Sequence, residues 1–378
     1  MKFLKIVANN FKLCEKNFTV NFVPIANKTK EDKVFELNLV DEELYTFSTM
    51  GIIGKNASGK TSTVELIALV YDIFSNFRVN TLANIFDYFN NDVLLDITFY
   101  HEGFLYRYLT NLYKDNTLVN ENIILFKNQK LYKRLYKKSY SSDLFNYDKY
   151  EEMNIDFNLP EDTSIIYMLL KNIEFRGIYY TSNDISYYNY SRIFNLYNML
   201  DKNIKLIKSI LKMFDEHIIN IEIINENKFK ISYVDKTYRE VTNKELNEIL
   251  SSGTNKGFSL FTYVVYSLKT GVDLIIDEIE NHFHRTLVEN LLNLYKDKFV
   301  NKKGASLIFT THDAELLDLF GRDDNIYVNK YDKKIYLENL HETYKIRPEL
   351  SKRNKFYENV YKTDVDYNAL MNFKKEIM

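Results

Sequence analysis

Three observations in the 378-residue sequence predict an α/β fold. An apolar approach (Tyr45, Phe47, Met50, Ile52, Ile53) leads into a glycine-rich loop, Gly51–Ser62, and then into a helical run (Val64, Leu66, Ile67, Leu69, Val70). Two further apolar runs, Val272–Ile276 and Ala305–Thr310, read as strands buried on both faces, the pattern of a largely parallel sheet. Strand-like runs between 93 and 135 read as an antiparallel meander. The predicted architecture is a mixed sheet around the glycine loop, an antiparallel β meander and a helical insertion lobe.

Composition supports one composite fold. Hydrophobic residues make up 46% and charged residues 27%, ample for a core under a normally charged surface. The net charge of −2 gives no global attraction to nucleic acid or anionic membrane, so any such binding needs a local patch. The single cysteine, Cys14, excludes an internal disulfide and a cysteine-only metal site, which fits a reducing cytoplasm. No run approaches the ~18 apolar residues of a membrane-spanning helix, and MKFLKIVANNF turns polar too early for a secretory signal. With 31 Tyr and 27 Phe but no Trp, the aromatic content reads as coding bias feeding the core rather than as a binding surface.

Taken in order, residues 2–23 alternate as a hairpin around Asn9–Asn17, and Lys28–Asp32 is polar and loop-like. A strand pair over 34–53 delivers the glycine loop, and a helix over 60–75 follows. Val93–Phe99, Phe104–Leu109, Asn122–Phe126 and Leu131–Leu135 are the meander. Residues 136–220 read as helical. The strongest helix, Ser191–His217, carries Ile193, Tyr197, Leu200, Ile204, Ile207, Leu211 and Phe214 in heptad spacing. That is under four heptads, so a helix packed on its own domain fits better than a coiled-coil arm. A hairpin (Ile219–Ile224, Phe229–Val234), a helix Glu240–Leu250 and a helix Asn255–Leu268 precede the apolar strand Val272–Ile276. A helix Glu289–Phe299, a strand Ala305–Thr310, a helix Asp313–Leu319 and edge strands Ile326–Val328 and Lys334–Leu337 follow. The expected divisions are 1–135 (first half of the fold), 136–245 (helical insertion lobe), 246–340 (second half) and 341–378 (peripheral tail).

Four loops carry the chemistry. Gly54-Lys55-Asn56-Ala57-Ser58-Gly59-Lys60-Thr61 fits G-x-x-x-x-G-K-[ST] between strand and helix, where inward N–H groups and the positive helix end bind polyphosphate. A chance Gly/Ser-rich turn is the alternative. Lys60 would reach the outer phosphates and Thr61 would ligate Mg²⁺. Leu250-Ser251-Ser252-Gly253-Thr254 opens a helix and offers a hydroxyl and bare N–H groups to an anion, or merely caps that helix. The strand Val272–Ile276 ends in Asp277-Glu278, where the Asp could hold Mg²⁺ and the Glu polarise a water, or both could be solvated. Ile308-Phe309-Thr310-Thr311-His312-Asp313 is a buried strand running out into a His able to bond a terminal phosphate, or a helix-capping loop in which Asp313 caps and His312 is incidental.

The order and spacing of these loops resemble the heads of ABC-type ATPases, in their SMC/RecF-like branch. The chain is most similar to the stand-alone ATPases of bacterial abortive-infection and overcoming-lysogenization-defect anti-phage systems. Val7–Phe11 with Phe18–Phe22, GKNASGKTS at 54–62, LSSGT at 250–254, DEIENHFH at 277–284 and TTHDAELLDLF at 310–320 carry the resemblance. It implies two heads closing on two ATP molecules. Gly54, Asn56, Ala57, Ser58, Gly59, Lys60, Thr61 and Ser62 of one subunit would bind nucleotide, and Ser251, Ser252, Gly253 and Thr254 of the other would close over it. Asp277 with Thr61 would hold Mg²⁺, Glu278 would be the base and His312 would contact the γ-phosphate, while Glu280, Asn281 and His282 would cross the dimer interface. It implies a slow, cytoplasmic ATPase that senses or scaffolds in defence, with a separate toxin or nuclease as effector and no membrane partner. A RecF-like DNA repair or maintenance ATPase is the alternative. One departure stands out: such heads carry a glutamine loop after the first helix, whereas the only glutamine here is Gln129, too far along to match.

Two other stretches bear on function. Glu278, Glu280, His282 and His284 alternate, so a strand would set four metal ligands on one face. Lys130, Lys133, Arg134, Lys137 and Lys138, interleaved with Tyr132, Tyr136 and Tyr140, could track a nucleic-acid backbone, or form an edge strand whose lysines block pairing.

Overall fold

The computed structural model describes residues 1–79, 91–115, 123–138, 143–155, 159–172, 177–180, 203–281, 284–344, 351–363 and 367–377. Strands β1 (Lys2–Asn9) and β2 (Phe18–Asn21) form the opening hairpin, followed by helix α1 (Lys30–Phe35) and the hairpin β3 (Leu37–Asp41) and β4 (Leu44–Phe47). Strand β5 (Thr49–Ile53) runs through the glycine loop into α2 (Lys60–Asn76). The meander is β6 (Val93–His101), β7 (Phe104–Asp115) and β8 (Ile123–Leu135), joined by the two-residue β9 (Glu151–Glu152). Next come α3 (Tyr167–Leu170), β10 (Gly177–Tyr180) and α4 (Ile204–Phe214). A three-stranded sheet of β11 (Ile218–Asn225), β12 (Lys228–Tyr233) and β13 (Tyr238–Thr242) leads to α5 (Asn243–Ile249) and α6 (Ser252–Thr270). Then follow β14 (Asp273–Ile276), α7 (Arg285–Lys296), β15 (Leu307–Thr311), β16 (Ile326–Asp332) and β17 (Lys334–Asn339). Helices α8 (Leu340–Tyr344), α9 (Lys352–Tyr357) and α10 (Tyr367–Ile377) end the chain.

Two six-stranded sheets organise the fold, in the orders β10-β14-β15-β5-β16-β17 and β2-β1-β6-β7-β8-β9. The first is parallel from β10 to β16 with β17 antiparallel at its edge, and the second is antiparallel. This is the mixed α/β architecture the sequence predicts. Helix α2 packs between the two sheets, so it is apolar on nearly every side: Val64, Leu66, Ile67, Leu69, Val70, Ile73 and Phe74 are all fully buried. Alternation along the parallel strands splits their side chains between two cores. Ile275 and Ile308 pack with α2 and the antiparallel sheet, whereas Leu274, Ile276, Leu307 and Phe309 pack with α6 and α7. Cys14 is a core residue, its thiol pushed up to about 12 by burial, so it stays protonated.

Several expectations need correcting. Part of the polar stretch at 28–32 is helical: Thr29 and Asp32 make a reciprocal capping box that starts α1. The run 34–53 is not one strand pair, because β3 and β4 pair with each other while β5 lies between β15 and β16 in the parallel sheet. The stretches at 122–126 and 131–135 belong to one strand, β8, bent at Asn128 (φ 52°) where its register against β7 shifts. The segment 136–245 is not simply helical. It supplies β10, the four-residue edge strand of the parallel sheet, and the β11–β13 sheet, whose third strand the sequence reading missed. A four-residue run such as Gly177–Tyr180 offers too few repeats to distinguish a strand period from a helical one. Strand β16 is interior rather than an edge. Of the proposed Ser191–His217 helix, 191–202 lie outside the described residues, and α4 packs against α6 with Phe214 and Phe261 edge to face at 5.4 Å.

The Arg322 guanidinium ties the segment 26–32 to the turn before β16. It donates to Asp324 Oδ1 and Oδ2 at 2.8 and 2.7 Å, to Asp32 Oδ2 at 2.6 Å, and to the carbonyls of Ala26 and Asn27. Asp324 in turn accepts the N–H groups of Ile25 and Ala26 and is completely buried. Breaking a buried pair from one side strands a charge. Arg322→Ala is therefore expected to lower the unfolding free energy by about 3 kcal/mol, measured by urea denaturation.

Candidate nucleotide-binding site

Sheet order assembles the site. Strands β14, β15 and β5 are parallel neighbours, in register at Ile276 and Phe309 and at Thr311 and Ile53. Their carboxyl ends therefore bring Asp277-Glu278, His312 and the glycine loop side by side, one strand spacing apart. This is where open α/β sheets bind ligands.

The glycine loop has the conformation its sequence implies. Gly59 adopts φ 100° and Ala57 φ 59°, both in the left-handed region, which curls the loop before α2 begins at Lys60. The glycines are also demanded by space. A Cβ on Gly54 would stand 2.4 Å from Ser58 Oγ and 2.6 Å from the Asn329 carbonyl, and one on Gly59 would strike the Ile335 side chain at 2.5 Å. Asn329 further accepts Thr63 Oγ1 at 2.9 Å, so the β16–β17 hairpin is the floor under the loop. Gly59 gives α2 no side-chain cap. Ser58 Oγ is fully buried with no hydrogen-bond partner, an orphaned hydroxyl within the cradle. Uncapped N–H groups, a buried hydroxyl and missing Cβ atoms fit a phosphate chain.

The charged groups form one connected network. Lys60 Nζ donates to the carbonyls of Gly54 (3.0 Å) and Lys55 (3.1 Å) and to His312 Nδ1 (3.1 Å). An ammonium only donates, so Nδ1 accepts and the neutral His312 ring carries its proton on Nε2, 3.4 Å from Glu278 Oε1. Burial pulls the Lys60 pKa below the ordinary lysine range, against the opposing pull of Glu278, Glu280 and Asp277. Asp277 accepts Thr61 Oγ1 on Oδ2 at 2.8 Å and Thr310 Oγ1 on Oδ1 at 2.6 Å. The Thr310 hydroxyl also accepts the Glu278 N–H at 2.7 Å. Glu280 accepts the His312 N–H, and Asn281 Nδ2 donates to Glu278 Oε2 at 2.6 Å. Thr61 and Asp277 offer hard oxygen ligands, and three carboxylates around one ammonium leave negative charge that a divalent cation would offset, so the donor set fits Mg²⁺.

The other expected residues fall in three groups. Asn56 and Ala57 are exposed on the loop, and in the first turn of α2 Thr61 is exposed and Ser62 half-buried. Ser251 caps α6 by accepting the Thr254 N–H at 3.0 Å, and Thr254 Oγ1 donates to Phe214 O at 3.3 Å. Ser251, Ser252 and Gly253 are exposed, and among the described residues every hydrogen bond of Ser251 and Thr254 stays in the α4–α6 corner, none reaching the glycine loop. Glu280 and Asn281 serve their own chain's His312 and Glu278, while His282 lies outside the described residues.

Two readings are corrected here. The alternating Glu278, Glu280 and His284 do not share a strand face: 279–281 is a 3₁₀ turn, His284 caps α7 by accepting the Thr286 N–H, and no cluster of three His, Cys, Asp or Glu side chains suited to a metal occurs among the described residues. The basic run is not an open cationic track. Arg134 is buried on Asp143 and Tyr136 is buried, while Lys130 is exposed but pairs with Glu152 at 3.2 Å, Lys133, Lys137 and Lys138 are exposed, and Tyr140 lies outside the described residues. Gln129 lies outside this network: its side chain accepts Tyr108 OH (2.6 Å) and the Ile165 N–H (2.9 Å) and donates to Thr163 O. The sequence reading missed Thr310, Asn329 and Ile335. A threonine directly after the apolar run Leu307–Phe309, near the end of the same strand, was the available signal for the first.

Fold and site together define a phosphate-loop nucleotide-binding protein with its acidic and histidine loops on adjacent strand ends. The family model described as "AAA domain, putative AbiEii toxin, Type IV TA system" matches residues 50–318. The chain belongs to that family, and so to ATPases of the AAA type. No curated protein matches the chain. Among solved structures, the SMC head domain from Thermotoga maritima is similar at 12% identity and a TM-score of 0.45, over 90% of this chain and 99% of that one. No described helix is long and apolar enough to cross a membrane.

The packing at Gly54 makes a direct test. Gly54→Ala forces its new methyl group against Ser58 Oγ and the Asn329 carbonyl. ATP affinity is expected to fall by at least about tenfold, as lost charge-assisted hydrogen bonds would dictate, measured by titration calorimetry with circular dichroism confirming the fold.

Proposed function

We propose that the chain binds and hydrolyses ATP with Mg²⁺ as an ATP-sandwich dimer. In this reading it is the sensor or scaffold subunit of a bacterial anti-phage, abortive-infection complex and controls a separate effector, a toxin or nuclease. The observation that carries the ATPase part is the convergence of Lys60, Asp277, Glu278 and His312 on one sheet edge beside the orphaned Ser58 hydroxyl. The toxin and toxin–antitoxin terms in the family description support the defence role.

Each side chain has a role its surroundings suit. Lys60 trades its bonds to two carbonyls and His312 for phosphate oxygens, gaining stronger charge-assisted contacts. Bound Mg²⁺, held through Thr61 and Asp277, would neutralise phosphate charge. Glu278 accepts a proton from the attacking water, and Asn281 and His312 orient its two carboxylate oxygens. When Lys60 turns to the phosphates, His312 Nδ1 is freed, and a proton taken up on that nitrogen would let it donate to the terminal phosphate. Ser251, Ser252 and Gly253, exposed at the N-terminus of the 19-residue α6, offer a hydroxyl and N–H groups to a nucleotide held by a second protomer. A DNA-repair role gains little from the basic run, since two of its five cations are engaged within the chain.

Two variants test the reading. Glu278→Gln keeps size but loses the base and one of its two acceptor oxygens, so hydrolysis is expected to fall by about 10²-fold or more while ATP-dependent dimers accumulate. Lys60→Ala is expected to lose nucleotide binding and dimerisation together. Phosphate release and light scattering with and without ATP read both. A Lys60→Ala protein that still dimerises on ATP addition contradicts the sandwich.

A further inference from the structure

We infer that Thr310 is a positioning residue for the acidic pair, its hydroxyl setting where Asp277 and Glu278 stand relative to Mg²⁺ and the attacking water. The inference rests on the ATPase reading above and adds to it a strand residue to which that reading gives no role.

Thr310 is fully buried near the end of β15, two residues after Ile308 and on the same strand face. An aliphatic residue would pack there without a polar cost. Burying a hydroxyl away from water costs free energy unless it is paired, and this one is paired twice. It donates to Asp277 Oδ1 at 2.6 Å and accepts the Glu278 N–H at 2.7 Å. One side chain on the central strand therefore grips both acids at the end of the neighbouring strand.

The second bond has a conformational consequence. Glu278 sits at φ 51°, in the left-handed region that costs a side-chain-bearing residue roughly 1 kcal/mol or more. Its N–H would otherwise be left without this partner at the strand end. Anchored on Thr310, the left-handed turn directs the Glu278 carboxylate toward His312 Nε2 and Asn281 Nδ2. The first bond occupies Oδ1 of Asp277 and so orients the carboxylate with Oδ2 toward Thr61, the other expected metal ligand. Outer partners of this kind fix the direction of metal-binding carboxylates.

Thr310→Val removes the hydroxyl at nearly constant volume, Thr310→Ser keeps the hydroxyl and removes the methyl group, and Thr310→Ala is a second hydroxyl deletion should the valine protein fold poorly. Three quantities separate positioning from packing: steady-state ATP hydrolysis against Mg²⁺ concentration, affinity for a fluorescent ATP analogue with Mg²⁺ and with EDTA, and thermal midpoint. Val and Ala are expected to lower kcat and raise the half-saturating Mg²⁺ by about tenfold or more, to lose the gain in nucleotide affinity that Mg²⁺ confers, and to leave affinity in EDTA unchanged. Serine is expected to restore the wild-type Mg²⁺ response. Wild-type hydrolysis and Mg²⁺ response in the hydroxyl-less variants, or a serine variant as defective as valine, overturns the role of Thr310 while leaving the ATPase reading standing. A wild-type protein that binds no nucleotide overturns the ATPase reading itself.

Discussion

The Asp277 carboxylate is the constraint on which the site depends. It accepts a hydroxyl from Thr61 at the start of α2 and another from Thr310 on β15, while its own backbone ends β14. Three elements of distant sequence are thereby tied at one point, and the glycine loop, the acidic pair and His312 inherit their relative positions from it. A carboxylate so placed needs nearby compensation for its charge, and Lys60 stands close enough to feel it. The local balance still favours a further cation, which is the electrostatic reason for the fit to Mg²⁺.

That point is stiff because of what lies behind it. Helix α2 is clamped between the parallel sheet and the antiparallel meander, with Phe74 edge to face against Phe3 and Phe99 at 4.8 and 5.0 Å. Its first residue, Lys60, therefore has a fixed base from which to reach the site. On the other face of the sheet, α6 and α7 fill the second core, and the exposed start of α6 projects Ser251–Gly253 from that rigid support. The strap from Arg322 to Asp32 and Asp324 closes the far end, joining the segment before α1 to the turn before β16.

Much of this was legible in the sequence, for physical reasons. A glycine loop between apolar strand and helix and two doubly buried strands are local patterns whose periods report burial directly. Their adjacency follows because parallel strands of one sheet must end on the same side. Long-range pairing was not legible. Arg134 reads as part of a basic run until Asp143 is brought beneath it, and nothing local in the sequence marks Arg322 as the partner of Asp32, 290 residues away. The strand Gly177–Tyr180 was hidden for a different reason: its identity comes from pairing with β14, with Gly177 fitting against the Tyr71 ring, and not from its own four residues. Thr310 was overlooked because its importance lies in two hydrogen bonds across a strand boundary.

The proposed ATP sandwich makes the site on each chain half of a composite one. It is tested most directly by mixing two inactive proteins, Lys60→Ala and Ser251→Arg, and measuring ATP hydrolysis across mixing ratios. In a mixed dimer one site combines both defects, and the other combines an intact glycine loop with an intact Ser251 loop. The account predicts that each protein alone is inactive and that activity returns on mixing, with a maximum near equal amounts. Ser251→Arg protein that hydrolyses ATP as wild type does, or mixtures that stay inactive at every ratio although mixed dimers form, would contradict it.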